Sequence, residues 1–225
     1  MSEIKPIAHI YSDYSTKFGI PRQSGLISTV AKIVFVPEFR SEDAIRGLEG
    51  YSHIWLIWEF SENKDKKANL TVRPPRLGGN IRMGVFATRS PFRPNSLGLS
   101  SVEIEKIEID KKDGPVIFVK GADILDGTPI FDIKPYLPYT DSHPDAKSGF
   151  SNEVFSDSLE VIFDENTLIN VEEKDIPILK EILSQDPRPH YHEDEERVYA
   201  FEFSRYKIKF TVKACVLTVK EITVI

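Results

Sequence analysis

Five arginines, Arg73, Arg76, Arg82, Arg89 and Arg93, fall between Leu70 and Leu97, and that window holds no Asp or Glu although the chain has a formal charge of -6. A guanidinium presents a planar fork of donors that matches a carboxylate or a phosphate, so arginines without neighbouring acids point to an anionic ligand. The window reads LTVRPPRLGGNIRMGVFATRSPFRPNSL. Gly78-Gly79 and Gly84 permit close backbone approach, and Pro74-Pro75, Pro91 and Pro94 limit the entropy of the loops that hold the charges. A solvated basic face is the competing reading, and these shaped loops weigh against it.

Two further segments carry groups able to bind a small molecule. Pro21-Arg22-Gln23 follows a loop containing Gly19 and reads by itself as a loop anchor. GADILDGTP, from Gly121 to Pro129, places Asp123 and Asp126 where they can accept hydrogen bonds from a ribose or an amino group, while Asp126-Gly127 also suits a tight turn. Ligand loop and structural turn stay open there. Phe131 to Tyr139 continues as an aromatic, proline-rich segment with Lys134.

Other chemistries are absent or weak. The sequence lacks a GxSxG elbow, a Walker GxxxxGK[ST] loop and a GxGxxG fingerprint. His190 and His192 beside Glu193 to Glu196 resemble a metal cluster, but two histidines two apart in a polar loop, with no further ligand, read as solvated surface, and no metal is expected. His53 reads as a packed or hydrogen-bonded side chain. The single cysteine, Cys215, excludes an intramolecular disulfide and a multi-cysteine zinc site, suits a reducing cytoplasm, and is expected within a buried strand.

The elements that must position these groups are mostly strands. At 225 residues, 40% hydrophobic and 28% charged, the chain suits one large domain or a main domain with an appendage. No apolar run reaches the length of a membrane span, and MSEIKPIAHIYSDY lacks the apolar core of a signal peptide. Period-two alternation predicts strands over Leu26 to Val36, His53 to Phe60, Ile81 to Thr88, Leu99 to Ile109, with a bulge near Lys106, and Val116 to Lys120. Ser41 is an N-cap candidate for a short helix, and KKDGP predicts a turn. Without the strand and long-helix alternation of a doubly wound sheet, the expected architecture is mainly β: a closed or strongly coiled, mostly antiparallel β-barrel over residues 1–140. A linker is expected over 141–157. Over 158–225 a small C-terminal α+β domain is expected, with an amphipathic helix from Glu172 to Ser184 and strands at Val198 to Phe203, Tyr206 to Val212 and Cys215 to Val224.

Taken together, PRQSGL, RGLEGYSHIWLIWEF, RPPRLGGNIRMGVFATRSPFRPNSLGLS, DILDGTPIFDIKPYLPY and DPRPHY resemble the TrmO (TsaA-like) family of tRNA N6-adenosine methyltransferases. The resemblance runs almost continuously over the first 140 residues and into the appendage. It implies a compact β-barrel unlike the Rossmann-type methyltransferases, S-adenosylmethionine as methyl donor, a homodimer, and tRNA bearing N6-threonylcarbamoyladenosine just 3′ of the anticodon as substrate. Carried over by motif, it implies cofactor contacts from Pro21, Arg22, Gln23, Ser61, Glu62, Arg89, Leu99, Asp123, Leu125, Asp126, Gly127 and Thr128. The family follows its tryptophan strand with His-x-Asn; here Ser61-Glu62-Asn63 puts serine in the histidine's place. Arginine suits the methionine carboxylate, acidic or backbone groups suit ribose and adenine, and leucine suits the adenine face. With Arg89 given to the cofactor, Arg73, Arg76, Arg82, Arg93 and Asn95 are expected to face tRNA, joined by Arg188 and Tyr191. A methyltransferase with another acceptor and a nonenzymatic RNA-binding barrel are the alternatives.

Overall fold

The computed structural model describes residues 4–63, 68–74, 77, 80–151, 158–164, 166–188 and 195–225. Where a strand has one inward face, its sequence alternates accordingly. In β3 (His53–Glu59) Ile54, Leu56 and Trp58 point into the core while Trp55 and Ile57 lie on the other face. The same logic turns Ala31, Ile33 and Phe35 of β2 (Val30–Phe35) inward against Ala8 and Ile10 of β1 (Ala8–Tyr11).

Two short strands, β4 (Thr71–Val72) and β5 (Met83–Gly84), form a separate ribbon. The long strand β6 (Leu97–Asp110) pairs through its first half with β3 and through its second half with β7 (Gly114–Lys120). A register shift between Ile104 and Lys106 lets it turn from one partner to the other. The strand β8 (Pro129–Pro135) pairs with both β3 and β1, so six antiparallel strands close in the order β1-β2-β7-β6-β3-β8. Closure removes the sheet edges and encloses Ile33, Ile54, Leu56, Ile117, Ile124 and Ile130.

After a one-turn helix α1 (Pro138–Asp141), β9 (Glu160–Phe163) lies parallel to β12 (Val216–Val224), completing the four-stranded sheet with β10 (Tyr199–Phe203) and β11 (Tyr206–Lys213). Helix α2 (Ile176–Ser184) buries Leu179, Ile182 and Leu183 against this sheet. Tyr14 and Ile27, from the loop between β1 and β2, are buried in the same core rather than in the barrel. The loop is tied there by Ser204 N–H donating to Asp13 C=O (2.9 Å) and by Ser28 donating to Glu181 of α2 through N–H (3.0 Å) and Oγ (3.2 Å). Gly19, at φ 93°, sits against Phe201, whose ring atoms would lie 2.6 Å from any Cβ.

Several expectations change. The strand expected over Ile81 to Thr88 reduces to β5, followed by a single 3-10 turn over Val85–Ala87. Only Val85 is buried there; Phe86 is 75% exposed, so the segment has no inner face for a longer strand to cover. The strand expected over Leu26 to Val36 begins only at Val30, as β2, and the proline-rich Phe131 to Tyr139 segment contributes most of β8. Cys215 is exposed, because Ala214, at φ 50°, and Cys215 form the turn between β11 and β12. The expected helix from Glu172 starts only at Ile176: Arg205 pairs with the carboxylates of Glu172 and Asp175 and holds them in the preceding turn. Ser41 does cap, its side chain accepting from the Asp43 N–H, but the element is a 3-10 turn.

Candidate active site

At one rim of the barrel a cleft of about 590 Å3 is walled by five separate stretches of chain. They are the loop around Pro21–Gln23, the turn Ser61–Asn63 after β3, the segment from Thr88 to Arg93, the start of β6, and the loop between β7 and β8. Trp58 and Gly98 are direct cross-strand partners, and a Cβ on Gly98 would stand 2.3 Å from the indole. Glycine therefore lets the indole lie flat across β6. Its Nε1 donates to Ser100 Oγ (3.0 Å), and Ser100 donates to Asp123 Oδ1 (2.6 Å). This chain locks β3, β6 and the loop after β7 into one wall. Burial pushes the Asp123 carboxyl above the usual carboxylate range, against the opposing effects of the Ser100 hydrogen bond and the Arg89 charge.

Trp55, on the alternate face of β3, also reaches the cleft and donates from Nε1 to Asp141 Oδ2 (2.9 Å). The Asp141 carboxyl takes the Leu137 N–H as well (2.9 Å), and these bonds, the backbone one foremost, hold it below the usual carboxylate range. On the rim, Arg89 donates to Gln23 Oε1, Gln23 donates to the Arg22 carbonyl, and Arg22 donates to the Asp186 carbonyl (3.2 Å). The rim thus runs from the arginine segment to the C-terminal domain. Lys17 pairs with Glu62 (2.8 Å) across another part of the lining.

Pro21, Arg22, Gln23, Ser61, Glu62, Arg89, Leu99, Asp123, Leu125 and Thr128 all line this cleft. Asp126 and Gly127 do not: Asp126 accepts from Ser12 N–H (2.9 Å) and Gly127 N–H donates to Ile10 C=O (2.9 Å), a turn that fastens the loop to β1. Trp55, Trp58, Thr88 and Ser100 are lining residues that sequence reasoning missed; the inward alternation of β3 was the available signal for Trp58.

The basic residues separate. Arg73, Arg82, Arg89 and Arg188 line a second groove of about 880 Å3 between the barrel loops and α2, which shares Arg22, Gln23 and Arg89 with the cleft. Arg93 lines the cleft instead and donates to the Thr88 (2.7 Å) and Val85 (3.4 Å) carbonyls, bracing the loop. Asn95 is exposed and lines neither space. The Arg188 guanidinium closes bidentately on Asp186 (2.8 and 2.9 Å), which neutralises its charge and raises its pKa. Arg76, Tyr191, His190 and His192 lie outside the described residues. Among the described residues no cluster of three or more His, Cys, Asp or Glu could hold a metal ion, and no helix is long and apolar enough to cross a membrane. His53 is exposed, with Nδ1 3.0 Å from Ser52 Oγ.

Fold and cleft together define a closed six-stranded β-barrel with a cleft at its rim, accompanied by a four-stranded sheet packed against one helix. Residues 9–142 match the family model of the tRNA-methyltransferase O N-terminal domain, and residues 156–225 match that of the TrmO C-terminal domain. The chain belongs to the TrmO family. It is 38% identical over 219 residues to the tRNA (adenine(37)-N6)-methyltransferase of Escherichia coli strain K12, covering 93% of each chain. It is 39% identical over 152 residues to an Archaeoglobus fulgidus protein named "Probable S-adenosyl-L-methionine-binding protein", covering 67% of this chain and 38% of that one. A crystal structure of TrmO from Pseudomonas aeruginosa superposes with a TM-score of 0.80 at 30% identity, over 100% of this chain and 97% of that chain.

Proposed function

We propose that the protein is an S-adenosylmethionine-dependent methyltransferase acting on N6 of the tRNA adenosine next to the anticodon, with the threonylcarbamoylated base as its acceptor. The observation that carries this reading is the convergence of ten motif residues, from Pro21 to Thr128, on one cleft. The lining suits the donor: a guanidinium, Arg89, for a carboxylate; Leu99 and Leu125 for the faces of a base; Asp123 for a hydroxyl or ammonium group. Bound there, S-adenosylmethionine supplies a methyl group on a positively charged sulfur.

Transfer to nitrogen is an in-line displacement, so the protein's work is to align the two partners and exclude water. Trp58 and Phe60, packed edge-on with ring centroids 4.4 Å apart, provide a dry wall. The Trp58–Ser100–Asp123 chain fixes the carboxylate in one orientation, and the Arg22–Gln23–Arg89 rim sets the position of the guanidinium. Ser61, shorter than the histidine of the family pattern, leaves more room at the turn after β3.

The ranges of the two family models support a division into catalytic barrel, linker and C-terminal domain, and the resemblance to the family supports a homodimer working in the cytoplasm. The test is methylation of tRNA with and without the threonylcarbamoyl group, reading nucleosides by mass. One added methyl on the threonylcarbamoylated nucleoside is expected. Cofactor binding without methylation of either tRNA would transfer the reading to another acceptor, and failure to bind the cofactor would leave an RNA-binding barrel.

A further inference from the structure

The ribbon formed by β4 and β5 has an unusual end. Its register pairs Thr71 with Gly84 and Val72 with Met83, and Arg73 and Arg82 are the residues that flank it just beyond the Val72–Met83 pair. Like charges held at one end of a short ribbon repel one another. Both arginines nevertheless line the same groove. Among the described residues neither forms an ion pair; Arg82 has one neutral partner, Thr71 Oγ1, at 2.9 Å. The one carboxylate in the described lining, Asp186, is engaged by Arg188. Two guanidiniums that line one groove at the end of a short ribbon, with no ion pair among the described residues, suit an oxyanion.

The groove's position narrows the ligand. It meets the cofactor cleft along Arg22, Gln23 and Arg89, so a group held in it lies beside the methyl-donor site. Its volume of about 880 Å3 exceeds what a lone inorganic anion needs, and Phe18, Ile20 and Ile182 give it an apolar floor. We propose that Arg73 and Arg82 clamp an oxyanion carried by the acceptor nucleotide, positioning its base at the shared wall. This rests on the methyltransferase reading above. The oxyanion is the carboxylate of a substituent on the base or the phosphate of the adjoining backbone.

The test uses the full-length protein with Arg73→Gln, Arg82→Gln and the double variant, reading tRNA Kd, its salt dependence and cofactor Kd. Each single variant should weaken tRNA binding about tenfold or more, with cofactor Kd unchanged. The double variant should lose less than the product of the two, since both grip one anion. Loss confined to tRNA bearing threonylcarbamoyladenosine assigns the clamp to the base carboxylate. Equal loss on modified and unmodified tRNA, with the salt slope shallower by about 1, assigns it to phosphate. Unchanged tRNA Kd in all three variants, or weakened cofactor binding in step with tRNA, overturns the clamp. Arg73 makes no ion pair among the described residues, so Arg73→Gln should melt at or above the wild-type temperature, and a lower melting temperature for that variant would assign Arg73 a structural role instead. Binding is read without turnover, so a clamp that behaves as expected in a protein that fails to methylate tRNA would sink the methyltransferase reading alone.

Discussion

Replacing Ser100 by alanine should be far more damaging than the removal of one hydroxyl suggests. Ser100 is 2% exposed and joins two groups that have been withdrawn from water, the Trp58 indole N–H and the Asp123 carboxylate. Loss of a hydrogen bond to a charged acceptor costs about 1.5–3 kcal/mol, and stranding the buried indole donor adds about 1–3 kcal/mol, so about 3–5 kcal/mol is expected in total. Both tryptophans of the chain lie in β3, so tryptophan fluorescence during urea denaturation reports the barrel and not the C-terminal domain. With a slope of about 2 kcal/mol per molar urea, the midpoint should fall by about 2 M. The deficit should be greatest where Asp123 is ionised and should shrink as acid protonates it, a change that the raised pKa of this buried carboxyl moves to higher pH than for an exposed carboxylate. A midpoint lowered by less than about 0.3 M, with an unchanged slope, would refute the idea that this chain of bonds holds the wall together.

Asp123→Asn should show the complementary pH dependence. Burial raises the native pKa of Asp123, so the folded state binds that proton more tightly than the unfolded state, and the resulting stability is full below the unfolded pKa and is lost as pH rises through the folded value. Asparagine has no such loss; comparing denaturation midpoints at acidic and neutral pH, the variant should gain on wild type as pH rises, and the opposite trend would contradict the assignment. Gly98→Ala drives a Cβ into a rigid indole at 2.3 Å and should destabilise the barrel by about 1–3 kcal/mol. It should also shift the tryptophan emission and weaken S-adenosylmethionine binding in a titration; unaltered emission and affinity would show that Trp58 is free to move aside.

What could be read from the chain depended on whether one strand face meets water. HIWLIWE and LSSVEIEKIEI alternate because one face is buried, and β3, β6 and the bulge before Lys106 were legible for that reason. AHIY is short and PIFDIKP is bounded by prolines, so β1 and β8, which together close the ring, were hidden. The apolar run after Cys215 concealed a turn that depends on the positive φ of Ala214. The arginine window was visible as a basic island, but its division was not: Arg93 turns back onto its own loop while Arg73 and Arg82 flank a ribbon and line the second groove, and only the tertiary structure decides between these outcomes. Motif resemblance found ten of the cleft residues without any geometry. It could not find the bonds joining Trp58 to Ser100 and Ser100 to Asp123, whose partners are 42 and 23 residues apart.

The burial of Tyr14 and Ile27 in the C-terminal core has a consequence for the order in which the molecule matures. These residues bracket Pro21, Arg22 and Gln23, yet the strands that cover them, β10 to β12, are synthesised long after them. At roughly 5–20 residues per second, the ribosome leaves the loop waiting on the order of 10–40 s for its partners. A nascent barrel therefore has strands on which to condense before it has a finished rim. Competence to hold the ligand arrives only once β10 to β12 have been made, and a nascent chain that has not reached them presents the barrel strands with an open flank.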